Sequence, residues 1–215
     1  MMKKLLALAV LAGLSLSALA QTSYNYYKFE DTPWNVSARM GITYNLVGSV
    51  PEGMSRSGLG LDFCIMEGQY CVTRRDILSL GLLDLQIDFR YLQKGMIFSS
   101  QPIGEIYKAA EDSRAKAHLT DFVFSFPFGY THRFNSRLAA SAYVAPGIGL
   151  IRYSNNVIEG DVQYKDSFYP VRDRAGFRLD LKAVLWFEDL GLMVRYQPIG
   201  FNSQKTFSIG LALCY

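Results

Sequence analysis

Residues 83–91 read Leu83-Asp84-Leu85-Gln86-Ile87-Asp88-Phe89-Arg90-Tyr91. Apolar and polar side chains alternate without a break. Successive side chains of an extended strand point to opposite faces. One face of this stretch therefore carries Leu83, Leu85, Ile87, Phe89 and Tyr91, and the other carries Asp84, Gln86, Asp88 and Arg90. A helix, with its period of about 3.6 residues, would scatter both sets, so the period of two predicts a strand.

The same period recurs on both sides. Upstream, Val36, Ala38, Met40, Ile42, Tyr44 and Leu46 alternate with Ser37, Arg39, Gly41, Thr43 and Asn45. Leu59, Leu61, Phe63 and Ile65 alternate with Gly58, Gly60, Asp62 and Cys64. Downstream, Phe122, Phe124, Phe126, Phe128 and Tyr130 oppose Asp121, Ser125, Gly129 and Thr131. Leu138, Ala140, Ala142, Val144, Pro146, Ile148 and Leu150 oppose Arg137, Ala139, Ser141, Tyr143, Ala145, Gly147 and Gly149. Phe177, Leu179, Leu181, Ala183, Leu185 and Phe187 oppose Arg178, Asp180, Lys182 and Trp186. Leu192, Val194 and Tyr196 oppose Met193, Arg195 and Gln197. Phe207, Ile209, Leu211, Leu213 and Tyr215 oppose Thr206, Ser208, Gly210, Ala212 and Cys214. Eight strands of about ten residues, tilted, are long enough to cross a bilayer. The fold class expected is all-β, an eight-stranded antiparallel transmembrane up-and-down barrel.

Alternation alone leaves open which face is inside. A soluble lipocalin-like barrel would turn its apolar face inward around a ligand, and a membrane barrel turns it out to lipid. Three features favour lipid. The polar face is rich in Gly, Ala and Ser, which suit a crowded lumen. Aromatics gather at strand ends, with Tyr44, Phe89, Tyr91, Phe122, Phe177, Tyr196 and Phe207 near one rim and Tyr130, Phe187 and Tyr215 near the other, as two interfacial girdles would. Connections alternate in length: 94–117 and 154–172 are long, whereas 132–136 and 188–191 are short. Long outer loops and short periplasmic turns are the membrane-barrel asymmetry. The connection 67–76 is too long for this scheme and 200–204 too short, which suggests that strand two or three starts elsewhere.

Ahead of the strands, Met1-Met2-Lys3-Lys4, the greasy run 5–16 and Ala18-Leu19-Ala20 form the three parts of a secretory signal peptide. Removing 1–20 from the 215 residues leaves 195, and losing Lys3 and Lys4 takes the net charge from +3 to +1. That balance gives no reason to expect a nucleic-acid partner. With 50% hydrophobic residues and 14% aromatics, disorder and low complexity are excluded. Residues 21–34 form an expected N-terminal periplasmic segment, and 35–215 the barrel. Within the former, 24–29 reads either as an interfacial segment or as a short extra strand.

These residues, with the last strand Phe207-Ser208-Ile209-Gly210-Leu211-Ala212-Leu213-Cys214-Tyr215, resemble small bacterial outer-membrane barrels of the OmpA/OmpX and PorT-like "outer membrane protein beta-barrel" families, with a Bacteroidota flavour. The resemblance covers about residues 35–215 and rests on pattern. It implies an outer-membrane location, contact with lipid and lipopolysaccharide, and recognition of terminal Tyr215, in place of the usual Phe, by the barrel-assembly machinery. It also implies that the peptidoglycan-binding domain of full-length OmpA is absent.

Placed inside, the polar faces carry Arg39, Arg90, Arg137, Arg178, Lys182 and Arg195 against Asp62, Asp84, Asp88, Asp121 and Asp180. Charges in a narrow lumen are costly unless paired, so near balance predicts a salt-bridged plug. No catalytic constellation is expected. The two histidines, His118 and His132, fall at opposite ends of the barrel, and no GxSxG, HExxH or P-loop occurs. No cofactor or metal is expected. Cys64 and Cys71 are a candidate disulfide, with three unpaired thiols as the alternative. Stretch 105–118 (EIYKAAEDSRAKAH) reads as a short polar helix with Lys108–Asp112 and Asp112–Lys116 spaced i,i+4. The acidic and aromatic loop 154–169 is a candidate recognition surface toward glycan, lipopolysaccharide or an envelope protein. A structural or recognition role is preferred. A small pore or transporter for solutes and a PorT-like part in secretion or envelope assembly are the alternatives.

Overall fold

The computed structural model describes residues 33–101, 103–169, 175–200 and 204–214. The expected signal peptide, most of the N-terminal segment, and Tyr215 lie outside them. Among the described residues there are twelve antiparallel strands: β1 (Trp34–Val47), β2 (Met54–Cys71), β3 (Asp76–Leu92), β4 (Met96–Ser100), β5 (Ile103–Lys108), β6 (Ser113–Ser125), β7 (Phe128–Arg133), β8 (Leu138–Glu159), β9 (Val162–Phe168), β10 (Ala175–Phe187), β11 (Leu190–Ile199) and β12 (Thr206–Cys214).

The pairing returns to its start. β1 pairs β2, β2 pairs β3, and β3 pairs both β6 and β7. β6 and β7 both pair β8, β8 pairs β10, β10 pairs β11, β11 pairs β12, and β12 pairs β1. Counting β6 and β7 as one interrupted strand, this is a ring of eight strand positions. The interruption falls at Phe126-Pro127. Proline has no N–H to give a ladder, and its carbonyl instead accepts from Gly81 N–H at 2.8 Å. The missing side chain of Gly81 makes room for the Pro127 ring, which a Cβ there would strike.

The side-chain alternation divides inside from outside with an inverted polarity. Leu211 is 58% exposed on the outer face, while Asp62 is 0% exposed within the ring. Ile42, Leu46, Leu59, Leu80, Phe124, Ile148 and Leu192 are likewise exposed outside. The nine aromatics expected at the rims that lie within the described residues, Tyr44, Phe89, Tyr91, Phe122, Tyr130, Phe177, Phe187, Tyr196 and Phe207, stand on that outer face.

Three sequence expectations need correction. The stretch 67–76 is mostly strand. β2 runs on to Cys71 and β3 starts at Asp76, with register shifts around Met66. Leu82 and Leu83 are both exposed. An extra residue at each place turns the following side chains to the other face, which broke the visible alternation there. The turn is only 72–75. The stretch 105–118 is not a helix: it holds β5, the turn 109–112 and the start of β6. Its Ala115, Ala117 and Leu119 point inward at a period of two, and pairing with β8 overrides the helix-forming composition. Finally, 154–169 is a β8–β9 hairpin turning at Gly160, whose φ is +56°.

The ring thus has two unlike ends. The turn end carries 72–75, 134–137 and 188–189. The loop end carries the β4–β5 and β8–β9 hairpins.

Candidate functional site: the charged interior

Five cations, Arg39, Arg90, Arg178, Lys182 and Arg195, and six carboxylates, Asp62, Glu67, Asp84, Asp88, Asp121 and Asp180, are buried inside the ring. The strand register stacks them in layers. Nearest the turn end, Arg39 Nη1 lies 3.4 Å from Glu67 Oε2, and its guanidinium sits 4.4 Å from the centre of the Tyr143 ring, within cation–π range. Gln69 Nε2 donates to Ser37 Oγ (2.9 Å) and to Glu67 Oε1 (3.2 Å). Trp186 Nε1 donates to Ser141 Oγ at 2.8 Å.

At mid-height Lys182 Nζ donates to Asp62 Oδ2 (2.5 Å) and Asp84 Oδ2 (2.6 Å). Ser125 Oγ also donates to Asp84 Oδ2. One layer further, Arg195 Nη2 lies 2.9 and 3.0 Å from the two oxygens of Asp88. Asp88 also accepts from Asn45 Nδ2 (2.7 Å) and Gln86 Nε2 (2.8 Å). Toward the loop end, Arg178 Nε and Nη2 reach the two oxygens of Asp121 at 3.3 and 3.4 Å, a forked contact. Arg90 donates to Gln204 and Thr206.

Asp180 differs from the rest. Both its oxygens are buried without a hydrogen-bond partner among the described residues, as are both polar atoms of the Gln197 side chain on the adjoining strand. Among the described residues, the buried carboxylates outnumber the buried cations inside the ring by one.

Above the charges the interior turns apolar. Met54, Leu92, Phe98, Ala117, Leu119, Ile151 and Tyr153 form a buried cluster. Phe98 belongs to the β4–β5 hairpin. A two-stranded hairpin is at best marginally stable alone, and this one is pinned: Asn155 Oδ1 accepts from Phe98 N–H (3.0 Å), and Asn155 Nδ2 donates to Phe98 O (2.8 Å). Tyr153 packs edge-on to Phe98 at 4.7 Å and stacks on Phe168 at 5.5 Å. Gly104, at φ +86°, lets the hairpin pass beneath Tyr153, which a Cβ would meet 2.8 Å from its hydroxyl. Asn155→Ala should leave that N–H and C=O unpaired at a cost on the order of 1–3 kcal/mol. The predicted readout is faster amide exchange and proteolysis at 96–108 with an unchanged global melt. Exchange as slow as in the parent chain would sink the pinning role.

The turn end is more open. A cavity of about 400 Å³ is lined there by Gln69, Arg133, Arg137, Tyr143, Trp186 and Glu188 among others. Arg137 corrects the expected network. It lies in the turn, 81% exposed, with Nε 3.4 Å from Glu188 Oε1, because its strand starts one residue later, where Asn135 Oδ1 accepts from the Arg137 and Leu138 N–H groups. Glu67, which the sequence places in a connection, is inside instead. Its signal was present in the Glu67–Gln69 alternation beyond the bulge. Cys64 and Cys71 are free thiols on the same strand. Seven residues of strand are roughly 23 Å long, far beyond disulfide reach.

The histidines lie at opposite ends. His118 is half-buried at the loop end beside Tyr91, ring centroids 6.3 Å apart. At the turn end His132 Nδ1 is 2.8 Å from Asp76 Oδ1. Thr73 and Tyr130 each donate a 2.6 Å hydrogen bond to Asp76. These bonds, Thr73 first, then Tyr130 and His132, hold the Asp76 carboxyl well below the usual range. Both hydroxyls are committed to that carboxylate, so the cluster ties a turn to β7.

A ring of strands, apolar outside and charged within, defines the class of architecture from this chain's own register. No family model matches the chain, and no curated protein matches it. Among solved structures, the attachment invasion locus protein Ail of Yersinia pestis, in complex with the heparin analogue sucrose octasulfate, is 12% identical, with a TM-score of 0.46 over 86% of this chain and 100% of that one. The N-terminal β-barrel domain of Pseudomonas aeruginosa OprF is 11% identical, with a TM-score of 0.32 over 83% of this chain and 97% of that one. A de novo designed transmembrane β-barrel is 12% identical, with a TM-score of 0.34 over 83% and 95%. Likeness of this order carries no weight beside the pairing itself.

Proposed function

We propose that this chain is an integral outer-membrane β-barrel protein with a plugged lumen, acting as a structural or recognition protein through its outer loops and performing no catalysis. The observation that carries the reading is the inverted polarity: a belt of exposed Leu, Ile, Val and Phe around buried charges, most of them in ion pairs. In water such a belt would aggregate. In a bilayer it faces its proper solvent, and the closed ring leaves no unpaired strand edge in the hydrocarbon. A soluble lipocalin-like barrel would need the opposite polarity.

The plug has two parts. Eight strands enclose an interior just wide enough for side chains, and here charged pairs occupy it. The Phe98 hairpin then covers the loop end. The loop end is placed outside the cell and the turn end in the periplasm, following the length asymmetry of such barrels. Insertion by the barrel-assembly machinery, lipid and lipopolysaccharide neighbours, and an envelope or extracellular protein partner for the β8–β9 hairpin belong to the same reading.

Refolding into detergent or vesicles tests it. The folded form should migrate faster than the boiled form on gels, and planar-bilayer recording should show no steady conductance. Identical migration with a soluble fraction would remove the membrane reading. Steady openings of nanosiemens size would remove the plug and favour a solute pore.

A further inference from the structure

Beyond the bilayer-height belt, β6, β8 and β9 continue as a three-stranded extension whose two faces differ in charge. The register sets rows across it: Arg114–Ile158–Gln163, then Lys116–Asn156–Lys165, then His118–Ser154–Ser167, then Thr120–Arg152. The residues between these rows, Ala115, Ala117, Ile151 and Tyr153, are buried toward the interior. The rows therefore share the outward face with Phe122, Phe124, Ile148 and Leu150 lower on the same strands. They hold four cations, Arg114, Lys116, Arg152 and Lys165, and no carboxylate. The acids of this extension lie elsewhere: Asp166, paired with Asn155, is on the opposite face, and Glu159 and Asp161 are at the tip. None of the four cations is in an ion pair among the described residues, and Arg152 Nη2 is held by donating to Ser167 Oγ at 3.0 Å.

We infer that this outward face binds the phosphorylated headgroups of the outer-leaflet lipid, the phosphates of lipid A, as a deepening of the membrane reading above on which it rests. The height fits. Arg152 lies one row above Leu150 and Phe122, and Phe89 and Tyr91, paired with Thr120 and His118, mark the interface on the adjoining strand. The six steps from Thr120 to Arg114 span about 20 Å along the strand, or roughly 14 Å of height at a 45° tilt, which covers the headgroup zone. Long cationic side chains just above an aromatic belt reach laterally into that zone while their stems stay against apolar surface. The acidic tip disfavours a soluble polyanion approaching from above, so the ligand arrives from the side, within the leaflet.

The parent chain and the variant R114Q/K116Q/R152Q/K165Q would be refolded into phosphatidylcholine vesicles carrying a minor fraction of diphosphoryl lipid A or of dephosphorylated lipid A. Lipid retained on the extracted protein is then counted by native mass spectrometry. The parent should retain diphosphoryl lipid A over the dephosphorylated form. That preference should drop on the order of fivefold for each cation removed, the factor that the attraction of one near-surface cation to an anionic leaflet corresponds to. It should also fall as salt is added to the parent alone, which tests the inference without any variant. Equal retention of the two lipids, a salt-insensitive preference, a preference kept by the variant, or tight binding of a soluble sulfated dextran in place of lipid would each overturn it. Failure of the parent to insert even into pure phosphatidylcholine would instead remove the barrel reading, and the two failures are thereby told apart.

Discussion

Replacing Lys182 with methionine should destabilise the ring by about 3–5 kcal/mol, the usual cost of removing one partner from a buried ion cluster. Lys182 Nζ serves Asp62 and Asp84 together, and all three side chains are almost wholly shielded from solvent. Without the ammonium, two carboxylates face one another in a low-dielectric space, and Arg39, whose Nε is 3.9 Å from Asp62, is too distant to compensate. The measurement is urea unfolding of refolded protein in micelles, read by gel mobility. A matched triple change, Lys182→Met with Asp62→Leu and Asp84→Leu, should recover most of the loss, because exchanging a whole buried ion cluster for apolar groups is often neutral or stabilising. If the single and triple variants unfolded at the same urea concentration as the parent, the central cluster would have no role in holding the ring closed.

The same cluster shows where sequence reading ends. That Asp62, Asp84 and Lys182 share the polar face follows from a period of two, and Asp84-Leu85-Gln86-Ile87-Asp88 shows it at a glance. Which carboxylate meets which cation does not follow. Lys182 is 120 residues from Asp62 and 98 from Asp84, and the strands that carry them meet across the lumen only after closure and shear are set. The inverted polarity could be weighed in advance from the small residues on the polar face and the aromatic strand ends. The bulges at Ile65-Met66 and Leu82-Leu83 could not, because two adjacent apolar residues look like the end of a strand until a partner strand runs past them. Glu67, just beyond the first of them, therefore reads in the sequence as part of a connection. The hairpins at the loop end were hidden for another reason. Local composition at 105–118 favours helix by propensity alone, and only the pairing of Ala115 with Val157 and Ala117 with Asn155 decides against it. At Arg137 the alternation in the sequence runs one residue further than the strand does, past the point where the Asn135 side chain closes the turn.

The seam where β1 meets β12 carries the second large expectation, that Gly210→Val blocks closure. Residues Gly210, Thr43 and Gly60 form one row across three strands, since Thr43 registers with Gly210 on one side and Gly60 on the other. The threonine is buried and flanked by two positions without side chains. A Cβ at Gly210 would strike the Ile42 carbonyl oxygen and stand 2.9 Å from Thr43 Cα and Cγ2. Much of that obstruction is backbone, so no rotamer change relieves it. Overpacking usually costs about 1–3 kcal/mol where side chains can shift, and here the last strand itself must move away from the first. Loss of this one pairing turns a closed ring into an open sheet with two bare edges, which the hydrocarbon interior of a bilayer does not tolerate. The expected result is therefore a collapse of the fraction that reaches the fast-migrating form, with Gly210→Ala impaired less and Gly160→Ala, which meets nothing within 4 Å, least despite its φ of +56°. If Gly210→Val folded with the parent's yield and unfolding midpoint, the β1–β12 register described here would be wrong at this row, and with it the closure on which the plugged, membrane-embedded reading depends.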